Sequence, residues 1–150
     1  MANSYTSLFV HVIFSTNNRE RFLTSGVRDR LWPYMGGIAR ENRMKALSVG
    51  GTLDHVHLLI LIPPVMPVAK AVQLVKGGSS KWLHESYAPL RKFSWQEGYA
   101  AFSIGASQTN AVSEYIARQE EHHRLRTFQE EYLAFLKEYN VDYDERYVWG

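Results

Sequence analysis

The sequence predicts an α+β fold, a ferredoxin-like (split βαβ, RRM-like) antiparallel sheet with helices on one face and two further helices toward the C-terminal end. Three observations predict it. Segments with strand-like and helix-like apolar patterns follow one another in the order β-α-β-β-α-β. Hydrophobic residues make up 45% of the 150 residues, ample for a core and too many for a disordered chain. No repeat, low-complexity tract or linker divides the chain, so residues 1–150 are expected to form one domain.

The elements are read in order. Residues 5–14 are β-branched and aromatic almost throughout, as in a central strand covered on both faces. From Thr24 to Asn42, Val27, Leu31, Met35, Ile38 and Ala39 recur at helical spacing, with Pro33 and Gly36-Gly37 predicting a kink or two short helices. Lys45–Val49 reads as a short strand, 50–53 as a turn and His55–Ile62 as a strong apolar strand ended by Pro63-Pro64. Pro67 stands where a second helix begins, with Val68, Val72, Val75, Trp82 and Leu83 on its buried side. Ala100–Ser107 is a fourth strand, followed by a helix over roughly 109–126. Thr127 and Glu130 form a capping box that opens a last helix to about Tyr139, beyond which the Asp/Tyr-rich tail has no clear period.

Composition removes several classes of function. The chain has no cysteine, which excludes disulfides, thiolate metal sites and cysteine nucleophiles. It has no apolar run long enough to span a membrane, and its first twenty residues lack a secretory layout, so a cytoplasmic location is expected. HExxH and Walker-type glycine patterns are absent, leaving zincin proteolysis and P-loop hydrolysis without support. The net charge of +2 hides an asymmetry: residues 1–126 hold 15 basic and 9 acidic groups, whereas the last 24 hold 2 and 6. A basic body suits a polyanionic ligand, and scattered solvated charge gives the same count.

In the third predicted strand, Asp54-His55-Val56-His57 sets two imidazoles at i and i+2, side by side on one face, where they can share a metal ion. A hydrogen-bonded histidine pair on a half-buried sheet would produce the same pattern. Asp54 could orient a histidine through its second ring nitrogen, but its neighbouring strand position points to the other face, so a turn role is expected for it. On the helix at 109–126, Tyr115 and Gln119 are one turn apart, and His122 and Arg126 continue the stripe. Val112 and Ile116 mark the buried side, so Tyr115 borders the core.

His55-Val56-His57 resembles the HUH motif, and Tyr115-Ile-Ala-Arg-Gln119 resembles the tyrosine helix of the single-tyrosine HUH transposases of the insertion sequence 200/605 family, the type that includes IS200-like and REP-associated tyrosine transposases. The segment Trp95 to Ser103 and the pair His122-His123 are similar to that family as well, and the resemblance runs from about Ser4 to Tyr147. It implies that Tyr115 attacks a phosphodiester of single-stranded DNA, joins the 5′ phosphate and releases a 3′ hydroxyl. It implies a divalent ion, Mg²⁺ or Mn²⁺, held by His55, His57 and Gln119, a neutral set that leaves the ion's charge for the phosphate; zinc is also compatible with these donors. It further implies hairpins at element ends as ligands, a bacterial or archaeal cell with nucleoid association when bound, and a homodimer in which one subunit's tyrosine helix reaches its partner's histidine pair.

The phosphate contacts are less legible. Lys76, Lys81, Arg91, Lys92, Arg118 and Arg124 are the candidates, each also readable as a solvated surface charge. Trp82, Trp95 and Tyr99 could stack on bases or belong to the core. A non-catalytic or domesticated hairpin-binding module would explain fold and charge but not the motifs together. A replication initiator or relaxase would share the histidine pair, usually within a longer chain with further domains.

Overall fold

In a computed structural model, which describes residues 3–150, four strands form one antiparallel sheet: β1 (Phe9–Ser15), β2 (Lys45–Gly51), β3 (His55–Leu61) and β4 (Ala100–Ile104). Their order, β2-β3-β1-β4, is that of the expected split βαβ sheet. β1 and β3 are central, and the register sets Ile13 opposite His57 and His11 opposite Leu59. Strand alternation then sorts side chains to two faces. Val10, Val12 and Phe14 join Val56, Leu58 and Ile60 beneath α1 (Ser25–Glu41) and α2 (Val68–Ser86). His11, Ile13, His55, His57 and Leu59 occupy the opposite face. That face is covered by α3 (Thr109–Ala117), α4 (Gln119–His122) and α5 (Phe128–Glu138). Cover on both sides explains why β1 and β3 read as continuous apolar runs.

Two helical expectations change. α1 runs unbroken through Pro33, which is exposed, so the Asp29 carbonyl left without its helical donor lies within reach of solvent. The helix expected over 109–126 instead ends at Ala117; Arg118 leaves helical geometry and α4 restarts at Gln119. The break turns the Gln119 side chain inward, where it is 1% exposed. α3 lies directly on β2: a Cβ on Gly50 would stand 2.5 Å from the Ile116 carbonyl oxygen, so only glycine permits this approach.

The capping box forms as predicted, with Glu130 N–H donating to Thr127 Oγ1 at 3.2 Å and Thr127 N–H to Glu130 Oε1 at 3.1 Å. The tail folds back. Tyr143, Val148 and Trp149 pack on the α5 cluster, and the Gly150 carbonyl accepts from Gly98 N–H and Gln96 Nε2. Among the described residues, no helix is long and apolar enough to cross a membrane.

Candidate active site

His55 and His57 are fully buried on the face beneath α5, their ring centroids 5.2 Å apart. Each ring has one nitrogen fixed from behind. His55 Nδ1 lies 2.8 Å from Asp54 Oδ1, and His57 Nδ1 lies 2.8 Å from Nε2 of His11, a buried residue on β1. Asp54 therefore does more than turn the chain: the β2–β3 turn curls its carboxylate back onto His55, with Thr52 Oγ1 donating to it at 3.2 Å. Both Nε2 atoms point into the space beneath α5. His55 Nε2 is 2.9 Å from Gln119 Oε1.

Besides His11, the residue that sequence reasoning missed is Glu131. It is 0% exposed and collects the site around its carboxylate. Oε1 lies 2.9 Å from His57 Nε2, 3.1 Å from His123 Nε2 and 3.5 Å from His55 Nε2. Oε2 accepts from Gln119 Nε2 at 3.2 Å and from the Tyr115 hydroxyl. Arg126 Nη2 donates to the same phenolic oxygen at 2.9 Å, and the His122 ring stacks on Tyr115 at 4.3 Å. A signal for Glu131 was present. Phe128, Glu131, Tyr132 and Leu136 form the buried stripe of α5, and a carboxylate inside such a stripe demands partners.

The electrostatics follow from burial. Desolvation opposes the charge on Glu131, but His57 beside it and hydrogen bonds from His123 and His57 hold its carboxyl well below the usual range. Burial draws His57 down to about 4 and His11 to about 3, so both rings are neutral. Burial and the Glu131 charge push the Tyr115 phenol well above its ordinary value, against the opposing pull of Arg126.

A divalent cation fits this donor set. His55, His57 and Glu131 each present a ligand atom within 4.8 Å of the others. With the Nδ1 proton of His55 directed at Asp54, its Nε2 lone pair faces Gln119 Oε1 and Glu131 Oε1, a convergence of acceptors that a cation satisfies. Glu131 adds a carboxylate beside the expected neutral set of His55, His57 and Gln119.

The other expected residues separate. Tyr115, His55, His57 and Gln119 meet within the chain, with Tyr115 5.9 Å from the His57 ring. Lys76 is a structural group. Its ammonium donates to the carbonyls of Gln96, Glu97 and Gly98, and burial lowers it to about 8. Lys81, Arg91 and Lys92 are exposed on the α2 side, across the sheet from Tyr115, whereas Arg118 and Arg124 are exposed next to the site. Trp95 is core and donates to Ser79 Oγ, Tyr99 packs against the core, and Trp82 stacks on Tyr34.

A family model for IS200-like transposases matches residues 4–119. The chain belongs to that family. This transposase family member is 26% identical over 121 residues to the transposase of insertion sequence element IS200 from Salmonella typhimurium, spanning 77% of the chain and 78% of that protein. It is 25% identical over 114 residues to the ISDra2 transposase TnpA of Deinococcus radiodurans, spanning 73% and 81%. Its fold is similar to a crystal structure of a putative transposase from Deinococcus radiodurans, with TM-score 0.65, 22% identity and coverage of 79% and 96%. It is also similar to a REP-associated tyrosine transposase bound to a REP hairpin, with TM-score 0.57, 13% identity and coverage of 82% and 74%. The family match ends at Gln119, so the transposase's His123, Arg126 and Glu131 lie beyond it.

Proposed function

We propose that this transposase cuts and rejoins single-stranded DNA through a 5′-phosphotyrosine on Tyr115, with a site assembled inside one chain. The observation that carries the reading is the tyrosine's setting: its hydroxyl is held between the Glu131 carboxylate and the Arg126 guanidinium, against the histidine pair. A phenol near pKa 10 is a weak nucleophile at neutral pH and needs its proton removed. Glu131 Oε2 is the acceptor in contact. The phenolic proton passes to it, the tyrosine oxygen bonds to phosphorus, and the P–O3′ bond breaks. The 3′ oxygen leaves as a hydroxyl, its proton relayed through water from the protonated Glu131 carboxyl, which returns that group to the carboxylate. Arg126, touching the nucleophilic oxygen, is placed to pair with the phosphate that arrives there.

His55, His57 and Glu131 Oε1, with Gln119 Oε1 beside them, would hold Mg²⁺ or Mn²⁺. When bound, the ion supplies charge neutralisation for the phosphate oxygens. Asp54 and His11 fix the ring orientations of the two histidines from behind. A hairpin-bearing single strand is the substrate we favour, because one structural neighbour is a tyrosine transposase bound to a REP hairpin.

The test is covalent capture of labelled single-stranded DNA from the flanks of the gene, with Mg²⁺ or Mn²⁺ and with EDTA. Tyr115→Phe should fold normally and form no adduct, and EDTA should abolish the wild-type adduct. An adduct mapped to another tyrosine refutes the assignment. Co-expression of His55→Ala with Tyr115→Phe chains separates the architectures. A site within one chain leaves every site in the mixture defective, whereas a site shared between subunits of a homodimer restores cleavage.

A further inference from the structure

Arg126, bonded to the Tyr115 hydroxyl, lines an open cavity. A cleft of about 1190 Å³ opens between the loop after β1, the β2–β3 turn and the α4–α5 segment, lined by Arg19, Arg21, Arg28, Arg124, Arg126 and His123. Its carboxylates are engaged already: Asp54 with His55 at 2.8 Å, Glu120 with Arg28 at 2.7 Å, and Glu130 in the helix cap at 3.1 Å. Arg19, Arg21 and Arg124 have no carboxylate partner and make no side-chain hydrogen bond among the described residues. Arg19 stands on left-handed backbone, φ 55°, with its guanidinium over the Trp149 ring at 5.7 Å. Arg126 also lines a second pocket, of about 350 Å³, together with Tyr115, His11 and Phe135. Two separate segments, the loop after β1 and the α4–α5 link, thus bring unneutralised guanidinium groups to one open cleft whose lining includes Arg126, the residue bonded to the nucleophile.

We propose that this cleft seats the sugar–phosphate backbone of a single DNA strand and delivers it past Arg126 to Tyr115. The inference rests on the reading that Tyr115 attacks DNA. Guanidinium groups pair with phosphate through two parallel hydrogen bonds, and an open channel lined with them suits a flexible polyanion. The strand path therefore runs on the Tyr115 side of the sheet, away from Lys81, Arg91 and Lys92.

The test is fluorescence anisotropy with a labelled oligodeoxythymidine of about 30 nucleotides across a potassium chloride series. The triple variant R19Q/R21Q/R124Q should lose roughly tenfold or more in affinity, and its log Kd against log salt slope should fall by about 2, near 0.7 per lost contact. Its thermal melt should match wild type, and K81Q/K92Q should bind as wild type. Wild-type affinity and slope in the triple variant overturn the cleft, whether or not Tyr115 forms its adduct. Equal losses in K81Q/K92Q, or tighter binding of a duplex of the same length, overturn it too. Arginine-dependent binding without any adduct removes the Tyr115 reading and leaves the cleft standing.

Discussion

Glu131 and His11 hold His57 from its two ring nitrogens, and neither belongs to the motif that announces the site. The pair at 55 and 57 was legible because strand period alone puts i and i+2 on one face. His11 was hidden because its partner, His57, is 46 residues away and meets it only through β1–β3 pairing. Glu131 was hidden for the same reason at a separation of 74 residues from His57, although its place in the α5 stripe was a readable anomaly. The buried rings predict a pH dependence. In the metal-free protein His11 and His57 titrate at about 3 and about 4, against 6.5 in the unfolded chain. Below pH 6.5 the unfolded chain therefore binds protons that the folded chain does not. Stability should fall as pH drops from 6.5 toward 4, by up to ~1.4 kcal/mol per pH unit for each histidine. Urea unfolding from neutral pH downward measures this slope. His11→Gln, which can still bond His57 Nδ1, should remove one histidine's share, and an unchanged slope in that variant would refute the assignment.

Among the elements, strands were the easiest to read and helix interruptions the hardest. β3 begins at His55 as expected, since a turn precedes it and Pro63-Pro64 closes the apolar run. The fourth strand is shorter than predicted, ending at Ile104 before Gly105 starts a turn into α3. The break at Arg118 has no glycine or proline to mark it; it coincides with the inward turn of Gln119 to His55 and Glu131, a tertiary demand invisible to local propensity. α3 comes closest to β2 where Gly50 meets Ile116, the residue next to Tyr115. In Gly50→Ala the new Cβ would lie 2.5 Å from a backbone oxygen and 2.9 Å from Ile116 Cγ2, and neither can swing aside cheaply. We expect a loss of about 1–3 kcal/mol in stability and a larger fractional loss of adduct formation, as α3 lifts with its tyrosine. Denaturant unfolding alongside DNA capture checks both, and wild-type behaviour in each would show that β2 does not set the height of α3.

At the scale of the whole molecule, three layers divide the labour: α1 and α2 build a core on one face, and the other face carries the polar cluster under α5. The layer order was readable from β-α-β-β-α-β, yet which basic groups face the cluster was not, because charge counts carry no direction. Lys76 shows the difference, since a candidate phosphate contact proves to pin the loop at 96–98. The Glu131 carboxylate has a consequence for how the molecule loads. On the proposed reading, an arriving DNA phosphate is an anion that meets a buried anion already seated at the tyrosine. A divalent cation between them converts repulsion into attraction, so cation and strand should each raise the other's affinity by the same factor. Mn²⁺ titrations with and without an oligodeoxythymidine strand should give unequal midpoints, tighter with DNA. In Glu131→Gln the two midpoints should draw together, because the neutral amide leaves little repulsion for the cation to relieve. Order of arrival would then be immaterial at equilibrium: either ligand prepares the protein for the other.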